Sequence, residues 1–390
     1  MRLIIAMALL ALGACASSER ARAPTPSAAE FALRRVRFAD LQGWREADLA
    51  PALLAFRRSC EGRARRALDA SLPGGGRYGG TVGDWAAACA AVGDATPGRE
   101  RAFFEAHFTP HAVSGPGEAR LTGYYEPVIE ARRAPEGDFT APLLRRPGDM
   151  VTVDVAAFAE AYDDSTLRGA PRRLTGQLVG AEVRPYPQRQ AIVTESGGAF
   201  AWAHPVDVYN LQVQGSGRLT FPDGAEARAA FAAQNGYRWR SALGALRDAG
   251  ELQNGVTWAN FRAWSRVRGL EATRQALNAD PSYVFFNEEP IEDPNAGPRG
   301  AAGVPLTPMG SIAVDPAYHP YGALVFVDGQ YDSAPFRRLL VAQDTGGAIR
   351  RGPMRGDVFF GPGPEAGQRA ERMNAPARWW TLLPAGAAVS

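Results

Sequence analysis

Val341-Ala-Gln-Asp-Thr-Gly-Gly-Ala-Ile349, followed by Arg355-Gly-Asp-Val-Phe-Phe-Gly361, decides how this chain reads. Each stretch sets an aspartate, Asp344 or Asp357, between a short apolar run and a Gly-containing turn. Gly310-Ser-Ile-Ala-Val-Asp-Pro316 has the same texture upstream and ends on Asp315. Short apolar runs stopped by Gly or Pro read as strands entering tight turns. A carboxylate held at such a junction is rigidly aimed, as acid/base chemistry requires.

Working outward, similar short segments begin near Thr122. Pro127–Glu130, Gln177–Val183, Ala191–Thr194 and Val208–Val213 alternate with Gly/Pro turns and read as strands of a β-rich unit. Helices are expected at about Ser241–Ala249, Trp258–Val267 and Leu270–Leu277, then turn and strand over Asn278–Phe286. The Pro-, Gly- and charge-rich stretch Asn287–Ala302 reads as a boundary. Before Thr122 the pattern is helical. Leu49, Leu53, Phe56 and Cys60 recur at helical spacing, Asp84 is placed to N-cap a second helix, and a third spans about Gly98–His107.

The three aspartate segments resemble the 3D domain, named for three aspartates. Leu121-Thr-Gly-Tyr-Tyr-Glu-Pro127, Leu211-Gln-Val-Gln-Gly-Ser-Gly217 and Asn235-Gly-Tyr-Arg-Trp-Arg240 extend the match in shared order and spacing. With them the chain resembles the membrane-bound lytic murein transglycosylase A (MltA) family over about Leu121–Pro384. That resemblance implies a β-rich α+β fold: a double-psi β-barrel domain, an inserted second β-barrel-like domain and an N-terminal helical segment. The implied division is a discontinuous catalytic domain, 31–127 plus 289–390, around an inserted domain at 128–288, with glycan in the groove between. Pattern alone supports only α+β with a β-rich core.

The implied reaction cleaves the MurNAc-β-1,4-GlcNAc bond of peptidoglycan without water. The MurNAc C6 hydroxyl attacks its own anomeric carbon and leaves a 1,6-anhydro end. Because the nucleophile is intramolecular, one carboxyl group suffices, first as acid and then as base. That group must be protonated near neutral pH, against about 3.9 for free Asp. Asp357 matches the family's catalytic position, and Val358-Phe359-Phe360 follows to desolvate it. Asp344 and Asp315 are expected in support, either as like charges raising its pKa or as hydrogen-bonded braces for the turns. Thr122, Tyr124, Tyr125, Gln214 and Ser216 fall in motifs that the resemblance places along the groove. Alternation along a strand means that only one of Tyr124 and Tyr125 faces glycan. The loop from Asp344 to Asp357 is about one residue longer than the family's.

Arg2, the apolar run Leu3–Leu12 and Leu12-Gly-Ala-Cys15 read as a signal peptide, 1–15, ending in a lipobox with lipidated Cys15. Residues 16–30 read as a flexible tether. The expected location is the periplasmic face of the outer membrane, with Ala16 favouring that membrane by analogy. The alternative is an ordinary signal peptide. Cys60 and Cys89 are an even pair for an oxidising compartment and suggest a disulfide; two unrelated buried thiols are the alternative.

The net charge of +2 implies no pull toward nucleic acid. The chain has no lysine, which excludes Schiff-base and Ser-Lys chemistry. His107, His111, His204 and His319 form no zinc-protease motif, and Pro110 breaks any helix joining the first two. No metal or cofactor is expected. Expected partners are glycan strands, a lipid anchor and cell-wall remodelling proteins. Two rivals remain open. Asp344-Thr-Gly346 resembles the aspartic-peptidase signature, which needs a second such carboxylate. A non-catalytic peptidoglycan-binding lipoprotein scaffold would keep the fold without the reaction.

Overall fold

The structure, a computed structural model, describes residues 30–167, 173–192, 197–253, 255–347, 349 and 352–385. Cys15 and the tether lie outside them. The N-terminal part runs β1 (Ala32–Arg35), α1 (Ala50–Arg63), α2 (Ala86–Ala91), α3 (Glu100–His107), β2 (Phe108–Ser114) and β3 (Arg120–Glu126). The middle runs β4 (Val128–Glu130), β5 (Ala141–Leu144), β6 (Met150–Asp154), α4 (Val155–Ala161), β7 (Arg173–Val179), β8 (Glu182–Pro185) and β9 (Ala199–Ala203). It continues through α5 (Pro205–Gln214), β10 (Gly217–Thr220), β11 (Glu226–Gln234), α6 (Ala242–Asp248), α7 (Trp258–Leu277) and β12 (Val284–Glu289). The C-terminal part is β13 (Ser311–Val314), β14 (Leu324–Tyr331), β15 (Ala334–Asp344), β16 (Arg355–Pro362), α8 (Gly363–Arg372) and β17 (Asn374–Pro384).

Strand pairing in the order β3-β17-β14-β15-β13-β16 returns to β3 and closes a ring of six strands. β2 and β1 extend it from β17. β14 shows why its first half, Leu324–Val327, is continuously apolar. Leu324 and Phe326 enter one core cluster, while Val325 and Val327 enter the other. Successive side chains of a strand point to opposite faces, so a strand buried on both sides needs no polar residue. The outer cluster is roofed by the N-terminal helices. Phe56 of α1 meets the rings of Trp85, Phe103, Phe104 and Phe108. Cys60 and Cys89 form a disulfide, with Cα atoms 5.3 Å apart, joining α1 to α2.

The middle segment forms sheets β12-β11-β10-β4, β5-β9 and β6-β7-β8, with clusters of its own. α5, α6 and α7 share a further cluster around Phe261.

Several local expectations are corrected. Val208–Val213 is not a strand but lies within α5. His204 accepts from the Val206 N–H, Pro205 starts the helix and Gly215 ends it at φ 87°. Those caps outweigh a β-branched composition. Gln177–Val183 is a hairpin turning at Gly180 rather than one strand. Ala191 closes a 3-10 turn, Arg189–Ala191, instead of opening a strand, and 193–194 lie outside the described residues. Asp84 does not cap α2. Its carboxylate accepts from the Thr81 N–H at 2.7 Å and closes the preceding turn. The two helices expected over Trp258–Leu277 are the halves of α7, kinked at Gly269. α8 was not anticipated, although Pro364 in its first turn, Glu365 early and Arg369 and Arg372 late are start and stop signals.

Candidate active site

Five residues line up across the ring. β13 pairs in parallel with β15, with Ile312 opposite Ala342. A register shift then puts Asp344, not Gln343, opposite Ala313. A bulge of this kind turns one side chain away and re-aims the next. Gln343 is turned into α1, where its Nε2 donates to the Ala55 carbonyl and to Ser59 Oγ, both at 2.8 Å. On the other side of β13, Ala313 is opposite Asp357 of β16. Asp357 is in turn opposite Thr122 of β3, and Thr122 opposite Asn374 of β17. Register partners project to the same face, so the row reads Asp344, Ala313, Asp357, Thr122, Asn374. Strand spacing puts the two aspartate Cα atoms about 10 Å apart. The alanine between them has only a methyl group to fill that gap.

Gly356 makes the approach possible. A Cβ there would lie 2.5 Å from Trp379 and 2.6 Å from Ile312.

Asp357 is the electrostatically poised member. Its Oδ1 is buried and has no hydrogen-bond partner among the described residues. Burial is the main cause pushing its pKa up to about 6, from 3.8. The Thr122 hydroxyl and Arg355 oppose the shift, while the Asp344 charge adds to it. Asp344 is better provided for. Its Oδ1 accepts from the Ala301 N–H at 3.0 Å and the Thr345 N–H at 2.9 Å, and its Oδ2 from the Tyr124 hydroxyl at 3.0 Å. Burial raises its pKa too, against those three bonds. With both oxygens engaged in this way, Asp344 is not arranged as half of a proton-sharing carboxylate pair, which disfavours the peptidase reading.

Asp315 stands outside the row. Its Oδ1 accepts from the Ala317 N–H and its Oδ2 from the Gly352 N–H, both at 3.1 Å. It ties the start of one turn to the end of the loop that leads into β16.

Tyr124 and Tyr125 point to opposite faces of β3. Tyr124 shares a face with Thr122, and its ring lies 5.3 Å from Phe359. Tyr125 faces away. Its hydroxyl accepts from Asn210 Nδ2 at 2.7 Å, its N–H donates to Gln214 Oε1 at 3.2 Å, and a Cβ at Gly367 would touch its ring. Tyr125 and Gln214 therefore join β3 to α5. Ser216 is 7% exposed, and its Oγ accepts from the Phe231 N–H at 3.1 Å, where β11 bulges.

Sequence reasoning missed one cluster. Glu126, at the end of β3, is 1% exposed and held by two arginines. Arg218 Nε lies 3.0 Å from one oxygen and Arg228 Nε 2.7 Å from the other. Both arginines also donate to the Ala296 carbonyl. The triad binds β3 to β10, β11 and the loop before β13. Glu126 lies 92 positions from Arg218 and 102 from Arg228, so no local signal could have found the triad.

Known proteins are similar to this chain in sequence and fold. The family model for the MltA specific insert domain matches residues 120–287, and that for the 3D domain matches residues 310–383. The crystal structure of a membrane-bound lytic murein transglycosylase from Agrobacterium tumefaciens is 30% identical with a TM-score of 0.75, covering 90% of this chain and 98% of that one. The chain belongs to the MltA family. Membrane-bound lytic murein transglycosylase A of Escherichia coli K12 is 30% identical over 275 residues, 68% of this chain and 66% of that protein. The E. coli MltA structure with bound chitohexaose is 26% identical, with a TM-score of 0.62, over 92% of this chain and 95% of that one. Members so named are lytic murein transglycosylases. Among the described residues, no helix is long and apolar enough to cross a membrane.

Proposed function

We propose that this chain is a lytic transglycosylase that cleaves the MurNAc-β-1,4-GlcNAc bond of peptidoglycan and leaves 1,6-anhydroMurNAc ends. The observation that carries the reading is Asp357: a carboxyl with one buried, unpartnered oxygen and a pKa pushed up to about 6. Protonated, it donates to the departing GlcNAc O4. Ionised by that step, it accepts the proton of the C6 hydroxyl as that oxygen closes on the anomeric carbon. One group serves both transfers because the nucleophile belongs to the substrate. Asp344, braced by two backbone N–H groups and Tyr124, holds a negative charge along the row and favours the protonated form of Asp357.

Thr122 and Tyr124 share the face of Asp357 and are the groove residues best placed to meet sugar. Tyr125, Gln214 and Ser216 support the groove from behind. A bound chito-oligosaccharide in a relative fits this substrate class. The finer architecture belongs to the same reading: the six-strand ring as a double-psi barrel, 31–127 with 289–390 as the catalytic domain, and 128–288 as an insert. So do lipidation of Cys15 and residence at the outer membrane.

The test is mass spectrometry of products from purified sacculi. Anhydro ends support the proposal, and reducing ends formed with uptake of water would sink it.

A further inference from the structure

A cavity of about 500 Å³ opens beside the disulfide, and both Cys60 and Cys89 line it. Its walls include Val82, Val92 and the guanidinium-bearing Arg57 and Arg66. Cys60 is 8% exposed, and Cys89 is the more accessible of the two. Arg63 also lines the cavity, although it is only 5% exposed. Its Nη1 is 3.9 Å from Cys60 Sγ and 3.8 Å from Cys89 Sγ. Its Nη2 donates to the Gly322 carbonyl at 2.7 Å, and the guanidinium lies over the Trp85 ring at 4.3 Å. Among the described residues its Nε has no hydrogen-bond partner and no carboxylate forms an ion pair with this side chain.

A buried cation without a counter-ion is costly unless a negative charge forms beside it. Glu61 also lines the cavity but is exposed and forms no ion pair with Arg63 among the described residues, whereas the two sulfurs lie directly against its Nη1. A thiolate gains from a neighbouring arginine, and a better-stabilised thiolate leaves faster in exchange.

We propose that Cys60–Cys89 is a thiol–disulfide exchange site entered from this cavity, with Arg63 stabilising the Cys60 thiolate as leaving group. The thiolate of an external dithiol reductant attacks Cys89 Sγ. A mixed disulfide forms between that sulfur and Cys89, the Cys89–Cys60 bond breaks, and its electron pair leaves on Cys60 against Arg63. The reductant's second thiolate then displaces Cys89. The dithiol ends as a disulfide, and the cysteine pair is reduced by two electrons.

The competing account is an arginine retained only for its packing on Trp85. To separate the two, the folded wild-type protein and Arg63→Met are equilibrated with graded mixtures of reduced and oxidised dithiothreitol. Free thiols are trapped by alkylation and counted by mass. The expected result is reduction of the wild-type pair without unfolding, at a ratio at least tenfold less reducing than the variant needs. Equal ratios, or a wild-type disulfide that yields only on unfolding, overturn the proposal. Should Arg63→Met fail to fold, Cys89→Ser supplies the second reading. Its unpaired Cys60, followed by mass on its own peptide, should alkylate with a midpoint below the free-thiol value of about 8.5; a midpoint at or above that value overturns the proposal equally.

Discussion

Asp344 and Asp357 are both register partners of Ala313, one across a parallel pair with a bulge and the other across an antiparallel pair. Two carboxylates thus share a face of the ring with only a methyl group between them. One is hydrogen-bonded on both oxygens, and the other keeps an oxygen buried and unpaired. That asymmetry fixes the expected outcomes at both positions.

Asp357→Asn should remove murein cleavage by at least 10⁴-fold, since one group is asked for both proton transfers, each typically worth about 10²–10⁴-fold. The same change should stabilise the fold at neutral pH. A carboxyl whose folded pKa is about 6 rather than 3.8 is no burden below pH 4, where both states are protonated. The burden grows between pH 4 and 6 and is constant above, at up to about 3 kcal/mol. Denaturant unfolding of both proteins at pH 3.5 and pH 7 checks this. A variant less stable than wild type at pH 7 would contradict the buried-acid assignment.

Asp344→Asn should lower the pH at which activity falls off on the alkaline side. Wild-type kcat/KM is expected to decline above about pH 6, as Asp357 in the free enzyme ionises. Removing the neighbouring negative charge moves that limb down, and stability drops as well because Ala301, Thr345 and Tyr124 lose a charged acceptor. A pH–rate profile with an unmoved limb would mean that Asp344 acts only as a brace.

Glu126→Gln should be the most destabilising of these changes, at about 3–5 kcal/mol, because it leaves two buried guanidinium groups sharing a neutral partner. The measurement is the urea midpoint at pH 7. A loss under 1 kcal/mol would show that the carbonyls of Pro294 and Ala296, which the arginines also reach, suffice.

Ser216→Ala removes the acceptor of the Phe231 N–H at the β11 bulge. The expected cost is about 1–3 kcal/mol of stability, with binding of murein fragments unchanged at matched folded fraction. A stable variant with weakened binding would place the hydroxyl against sugar instead.

By itself the sequence determined a great deal near the three aspartates. Gly and Pro punctuation around short apolar runs located β13, β15 and β16, and the motifs named the family. The apolar run after Asp357 foretold the burial that raises its pKa. These features are local, so a short window contains their physical cause. The pair of cysteines left beyond Cys15 suggested the Cys60–Cys89 bond, and the structure contains it. Other features were settled only by the tertiary structure. A helix took Val208–Val213 because its two caps and its packing against α7 outweigh strand propensity. The bulge at Gln343 is set by Ser59 and Ala55 on α1, nearly three hundred residues away, and without it Gln343 would face Ala313 in place of Asp344. Glu126 finds Arg218 and Arg228 only once the middle segment has folded against β3. Hydrogen bonds and ion pairs reach a few ångströms in space but any distance along the chain, so the row that sets Asp344, Ala313, Asp357 and Thr122 side by side exists only in the folded protein.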